Sequence, residues 1–269
     1  MSVKTIDLDI VIKEKSPKLY RYLPGFVISY LKKILHQNLL NEILVNGEGL
    51  DPYEFIEYSL KVLKTKYSVS GIENIPLEGR FIFAANHPLG GLDGIIFALE
   101  VGKIYPDLKF PVNDLLLNVP NLKKIFLPLN KHGKQGREAA RLLEEAYASD
   151  SQILYFPAGL CSRKLKGKIQ DLDWKKNFVS KAVKYKRDII PVHFKGSNSS
   201  FFYNLANLRA HSGIKFNIEM IYLPDEMTKQ EGKEISLTFG KPVTYQTIID
   251  SGLSIQEWSD KLHNMVHKM

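Results

Sequence analysis

The chain of 269 residues carries 37 Lys and Arg against 29 Asp and Glu, a formal net charge of +8, and is 44% hydrophobic and 25% charged. This ordinary globular balance can bury a substantial core in one large domain or a domain with an appendage. The single cysteine, Cys161, excludes an intramolecular disulfide and favours a reducing compartment. No run of about 20 apolar residues is present, which excludes a bilayer-spanning helix, and the N-terminus lacks the apolar core of an export signal. The excess of positive charge suits nucleic acid, an anionic membrane or acidic substrates, and does not choose among them.

Residues 1–15 read as a weakly organised, extended arm. After Pro17, Phe26, Val27, Tyr30, Leu31, Ile34 and Leu35 recur at helical spacing beside Lys32 and Lys33. This amphipathic segment can pack on the main domain or lie in a membrane interface. Asn46-Gly47-Glu48-Gly49 interrupts it, and a further helix is expected from Pro52 to about Lys64. Residues 1–65 thus form an N-terminal helical segment, and residues 66–269 the main domain.

From Lys66 the rhythm changes. Short strand-like runs (YSVSGI, FIFAAN, LKFPV, IFLPL, ILYFPA, IIPVHF, IKFNIEMIYL, EISLTF) alternate with helical patterns, clearest in GREAARLLEEAYA and DWKKNFVSKAVKYK. The C-terminal SIQEWSDKLHNMVHKM is amphipathic and helical in pattern. Alternating strands and helices predict an α/β fold with a mostly parallel central sheet flanked by helices.

Chemistry in such sheets gathers at the carboxyl ends of strands. His87 stands at the exit of FIFAAN, followed by Pro88 and by Gly90-Gly91, which permit a tight turn. Asp93 is placed to cap the next helix and to reach the His87 ring. A carboxylate on one imidazole nitrogen fixes the tautomer, leaving the other free to take a proton from an alcohol.

Residues 86–93, NHPLGGLD, resemble the Asn-His-x4-Asp block of the glycerolipid, lysophosphatidate acyltransferase-like superfamily, closest to its hemolysin-like or ornithine- and glycine-lipid branch. The spacing here is His-x5-Asp, one residue longer. The resemblance implies that His87 deprotonates an acceptor hydroxyl, which attacks an acyl thioester, and that Asp93 orients it. Residues 154–163, LYFPAGLCSR, resemble the third block, Phe-Pro-Glu-Gly-Thr-Arg-Ser, with Ala158 in place of the glutamate. By that resemblance Gly159, Ser162 and Arg163 form an anion cradle for the acceptor head group, a carboxylate being as suitable as a phosphate. Gly90 and Gly91 are candidate substrate-binding positions. Lys131 and Arg137, with Lys134, gather positive charge where a helix begins, in the place of the second block. IIPV at 189–192 resembles the fourth block, and the resemblance spans about residues 67–245.

The expected activity is O-acyl transfer from acyl-carrier protein or acyl-CoA, as co-substrate, to the hydroxyl of a single-chain lyso-lipid. No metal or other cofactor and no nucleic acid are expected. The expected setting is cytoplasmic, in peripheral contact with the anionic inner face of the membrane. A lipid esterase or metal-dependent hydrolase using the same His/Asp pair, and a non-enzymatic basic membrane-binding module, are the competing readings. Cys161 and His193 read as structural residues, and His263 and His267, at i and i+4, as a polar helix face.

Overall fold

A computed structural model describes residues 5–113, 116–129 and 133–269, the side chains of 133–135 excepted. Its centre is a seven-stranded sheet. In chain order the strands are β1 (Tyr67–Ser70), β2 (Phe81–Ala85), β3 (Leu108–Val112), β4 (Phe126–Pro128), β5 (Gln152–Tyr155), β8 (Asp188–Lys195) and β9 (Ile235–Phe239), while β6 (Arg163–Leu165) and β7 (Lys168–Gln170) form a separate antiparallel ribbon. The order across the sheet is β1-β9-β8-β2-β5-β3-β4, and every neighbour pair is parallel except β8 with β9. Both faces are covered. Phe81, Phe83 and Ala85 of β2 enter the core beneath α4 (Gln37–Asn46), α5 (Pro52–Val62) and α6 (Gly91–Gly102). Ile82 and Ala84 enter the core beneath α7 (Gly133–Ala148), α8 (Asn177–Tyr185), α11 (Tyr245–Asp250) and α12 (Ile255–Val266). A central parallel strand buried on both faces has no polar side, so FIFAA reads as an unbroken apolar run.

Two sequence expectations fail at particular places. Residues 8–15 are not an extended arm but the helix α1 (Leu8–Lys15), capped by Asp7, whose side chain accepts the Asp9 N–H at 3.0 Å. The run IKFNIEMIYL is not a strand. Ile218–Tyr222 is a 3-10 helix leading into α10 (Leu223–Thr228), with Pro224 in its first turn. A short apolar run does not distinguish strand from buried helix, and the proline, which helices accept at their start, decides it. The remaining helices are α2 (Pro17–Tyr22), α3 (Gly25–Ile34) and α9 (Ser200–His211).

The N-terminal helices are joined to the sheet domain rather than free of it. Ile43, Leu44, Phe55, Ile56 and Leu60 share the core with Phe83 and Phe97. Tyr30 of α3 meets Tyr222 hydroxyl to hydroxyl at 2.9 Å, and His36 lies 3.0 Å from Asp225 of α10. Ile28 and Ile34 point inward, while Leu19, Tyr22, Phe26 and Tyr30 stay exposed along the outer side of α2 and α3. Among the described residues no helix is long and apolar enough to cross a membrane.

Candidate active site

Strand β2 ends at Ala85, and the Asn86 side chain then pairs with the backbone of Phe194 in β8, donating to its C=O at 2.8 Å and accepting its N–H at 2.6 Å. This prolongs the β2–β8 edge by one side chain and fixes where His87 leaves the sheet. The chain turns through Gly90 at φ +77°, a left-handed conformation suited to glycine. A Cβ there would also come within 2.8 Å of Leu223 on α10. Gly91 is similarly covered by Met227. The two glycines therefore form a tight turn pressed against α10.

Asp93 does not cap α6 as the sequence suggests. Gly90 holds the N-cap position, and Asp93 lies within the first turn. From there its Oδ2 accepts the Leu89 N–H at 2.8 Å, and its Oδ1 lies 3.0 Å from Nδ1 of His87. The carboxylate is fully buried and the imidazole one-sixth exposed. The two groups meet as a close polar contact rather than as an aligned hydrogen bond. Among the described residues neither atom has another hydrogen-bond partner. The extra residue in the glycine turn does not keep the two groups apart.

The imidazole stacks on Phe156, centroids 3.9 Å apart and planes 18° apart, at the exit of β5. Phe156 packs in turn on Phe97 and Phe110, at 5.7 and 5.4 Å. A ring clamped between a carboxylate and an aromatic face has little rotational freedom, which is what a positioned base requires.

Sequence reasoning missed the residue that ties this region together. Asp171 is buried, and its carboxylate accepts the His87 N–H at 3.2 Å, the Ser162 hydroxyl at 2.6 Å and the Trp174 indole N–H at 2.9 Å. The Ser162 N–H donates to the His87 C=O at 2.7 Å. Asp171 lies 84 positions beyond His87, and no local pattern announces it.

The expected anion cradle is built differently. Ser162 gives its hydroxyl to Asp171. The Arg163 guanidinium is buried, donates to the Cys161 C=O at 2.6 Å and pairs with Glu219 at 2.8 Å. Glu219 also takes Arg209 at 3.1 Å, so the arginine expected to face a head group is instead held on a fully buried carboxylate that two guanidiniums share. Gly159 is exposed and left-handed at φ +71°. Arg137 is exposed on α7, away from these contacts; Lys131, and the side chain of Lys134, lie outside the described residues.

Cys161 is buried against Phe202, and that burial pushes its thiol up to about 11. A thiol held protonated is a poor nucleophile. Native protein at pH 8 is expected to resist alkylation by iodoacetamide for hours, and denatured protein to react fully. Rapid labelling of the native form by mass spectrometry would contradict this. His193, half-buried, is pulled down by burial, and its ring lies 6.4 Å from that of His267.

The mostly parallel sheet, with a partly exposed histidine on a buried aspartate at the carboxyl end of a central strand, has the arrangement of the glycerolipid acyltransferase-like α/β enzymes. A profile of the acyltransferase family matches residues 10–265, and the chain belongs to that family; it is an acyltransferase. Two relatives are similar over the whole chain: lyso-glycine lipid O-acyltransferases of Bacteroides thetaiotaomicron (45% identical, 98% of the relative covered) and of Phocaeicola vulgatus (44%, 96%). The fold is also that of the crystal structure of the 1-acyl-sn-glycerophosphate acyltransferase PlsC from Thermotoga maritima, with TM-score 0.50, 19% identity and 90% of each chain covered.

Proposed function

We propose that this acyltransferase esterifies the hydroxyl of a lyso-glycine lipid with an acyl chain taken from a carrier-protein or CoA thioester. The observation that carries the reading is the 3.0 Å contact between His87 Nδ1 and buried Asp93 Oδ1. In this reading Asp93 holds the proton-bearing Nδ1, and Nε2 takes the proton of the acceptor hydroxyl as its oxygen attacks the thioester carbonyl. The tetrahedral intermediate then collapses with cleavage of the C–S bond, and the imidazolium returns its proton to the departing thiolate. The acceptor class comes from the full-length relatives, both named for lyso-glycine lipid O-acylation.

Membrane contact belongs to the same proposal. Leu19, Tyr22, Phe26 and Tyr30 present an exposed apolar row beside Lys18, Arg21 and Lys33, a composition suited to the interface of an anionic membrane, where the acceptor resides. Purified enzyme given acyl thioester and lyso-glycine lipid is expected to yield the two-chain glycine lipid with one thiol released per ester formed. Thiol release that is independent of acceptor would show a thioesterase instead.

A further inference from the structure

The loop from Phe156 to Ser162 begins and ends on the histidine. Its first residue stacks on the His87 ring at 3.9 Å, and its last donates an N–H to the His87 C=O at 2.7 Å. Lys175 reaches over the middle of this loop. Its own N–H donates to the Pro157 C=O at 3.1 Å, which anchors its backbone, and the neighbouring Trp174 is held by Asp171. Its Nζ lies 3.0 Å from where a Cβ on residue 159 would stand. The absence of a side chain at Gly159 leaves room for the ammonium against the turn.

Lys175 is the cation whose head group lies over this loop. Arg163, the cation expected from the sequence, is buried and held by Glu219, which it shares with Arg209. Ala158 stands where the family block carries a glutamate, so the loop brings no acid of its own. Lys175 is exposed, and among the described residues no carboxylate lies within ion-pair distance of it. Asp93 and Asp171, the buried acids of the region, are committed to His87, Leu89, Ser162 and Trp174.

We infer that the Lys175 ammonium over the Gly159 turn is the subsite for the head-group carboxylate of the acceptor, an inference that rests on the acceptor reading above. One ammonium matches a singly charged carboxylate, whereas a phosphate monoester carries about −1.5 to −2 at pH 7 and is better met by a fork of donors. The same loop carries Phe156, whose ring stacks on His87.

The test uses purified full-length enzyme, wild type and Lys175→Gln, with lyso-glycine lipid and with its methyl ester, which keeps the chain and hydroxyl but removes the charge. For wild type the free acid is expected to have the lower KM. For Lys175→Gln, KM for the free acid is expected to rise about tenfold, the scale of one partly solvated charge-assisted contact, with kcat and the methyl ester reaction changed less than twofold. Lys175→Arg is expected to restore the preference. Equal losses on the free acid and the ester, or no loss on either, would overturn the subsite while leaving the acceptor reading intact. Wild-type enzyme that acylates neither would overturn the acceptor reading, and the subsite with it.

Discussion

Replacing His87 with alanine is expected to lower kcat for acyl transfer by about 10³-fold with the fold intact, the range for loss of a positioned general base. The ring is exposed enough to meet a substrate, yet confined by Asp93 Oδ1 on one side and the Phe156 face on the other. Alanine removes the proton acceptor and its stack on Phe156, but none of the hydrogen bonds that hold the loop. The Asp171 bond goes to the His87 backbone N–H, and the Ser162 bond to its backbone C=O. Asp93 keeps its bond to the Leu89 N–H. Circular dichroism and thermal melting are therefore expected to resemble wild type while initial rates of ester formation collapse. A variant retaining more than a tenth of wild-type kcat would remove His87 from the mechanism.

The difference between side chain and backbone explains what the sequence could show. The His87–Asp93 pair is local, six positions apart, and its parts are conspicuous: a histidine at a strand exit, two glycines, an acid at a helix start. The α/β alternation is equally legible, because strands such as FIFAA must be apolar on both faces. What is not local stayed hidden. Asp171 and Glu219 are acids in polar-looking stretches, and only tertiary packing brings them to His87 and Arg163, 84 and 56 positions away. Arg163 illustrates the converse. A guanidinium after a glycine turn has the composition of an anion site, but its function is set by whether an acid is already buried beside it, and Glu219 is. The ribbon β6–β7 was missed because Arg163–Gln170 has alternating lysines and one exposed isoleucine rather than an apolar face.

The same geometry divides the sheet into two ends with separate tasks. His87, Phe156 and the turn at Gly159 follow the carboxyl ends of β2 and β5, where backbone groups freed from the ladder are available to bind and position. The amino ends of the same strands have no such task and must be sealed.

Arg187 performs that sealing, and Arg187→Met is expected to destabilise the protein by about 4 kcal/mol while leaving kcat of the folded enzyme nearly unchanged. The guanidinium is fully buried just before β8, and among the described residues no carboxylate pairs with it. Its donors go instead to five carbonyl oxygens: Tyr147 at 2.8 Å, Ser151 at 2.9 Å, Ala146 at 3.1 Å, Phe81 at 3.4 Å, and Ser149. Ala146 and Tyr147 lie in the last turn of α7, Ser149 follows it, Ser151 precedes β5, and Phe81 opens β2, so one side chain closes a helix C-terminus and joins the starts of three neighbouring strands. Burial pulls the guanidinium down to about 10, so it still carries its charge at neutral pH, opposite the partial negative charge of the α7 terminus. Methionine fills much of the volume but removes these donors; Ala146 keeps the Ser149 hydroxyl, and each carbonyl left buried and unpaired costs about 1–3 kcal/mol. Relaxation and water entry limit the sum. For a chain of this size the melting temperature should fall by about 10 °C. Thermal unfolding of the two proteins at pH 7.5, with rates measured at 20 °C, checks both halves of the expectation. A melting temperature within about 2 °C of wild type would show that the carbonyls find other partners, and a large loss of kcat at full folding would show that the two ends of the sheet are not independent.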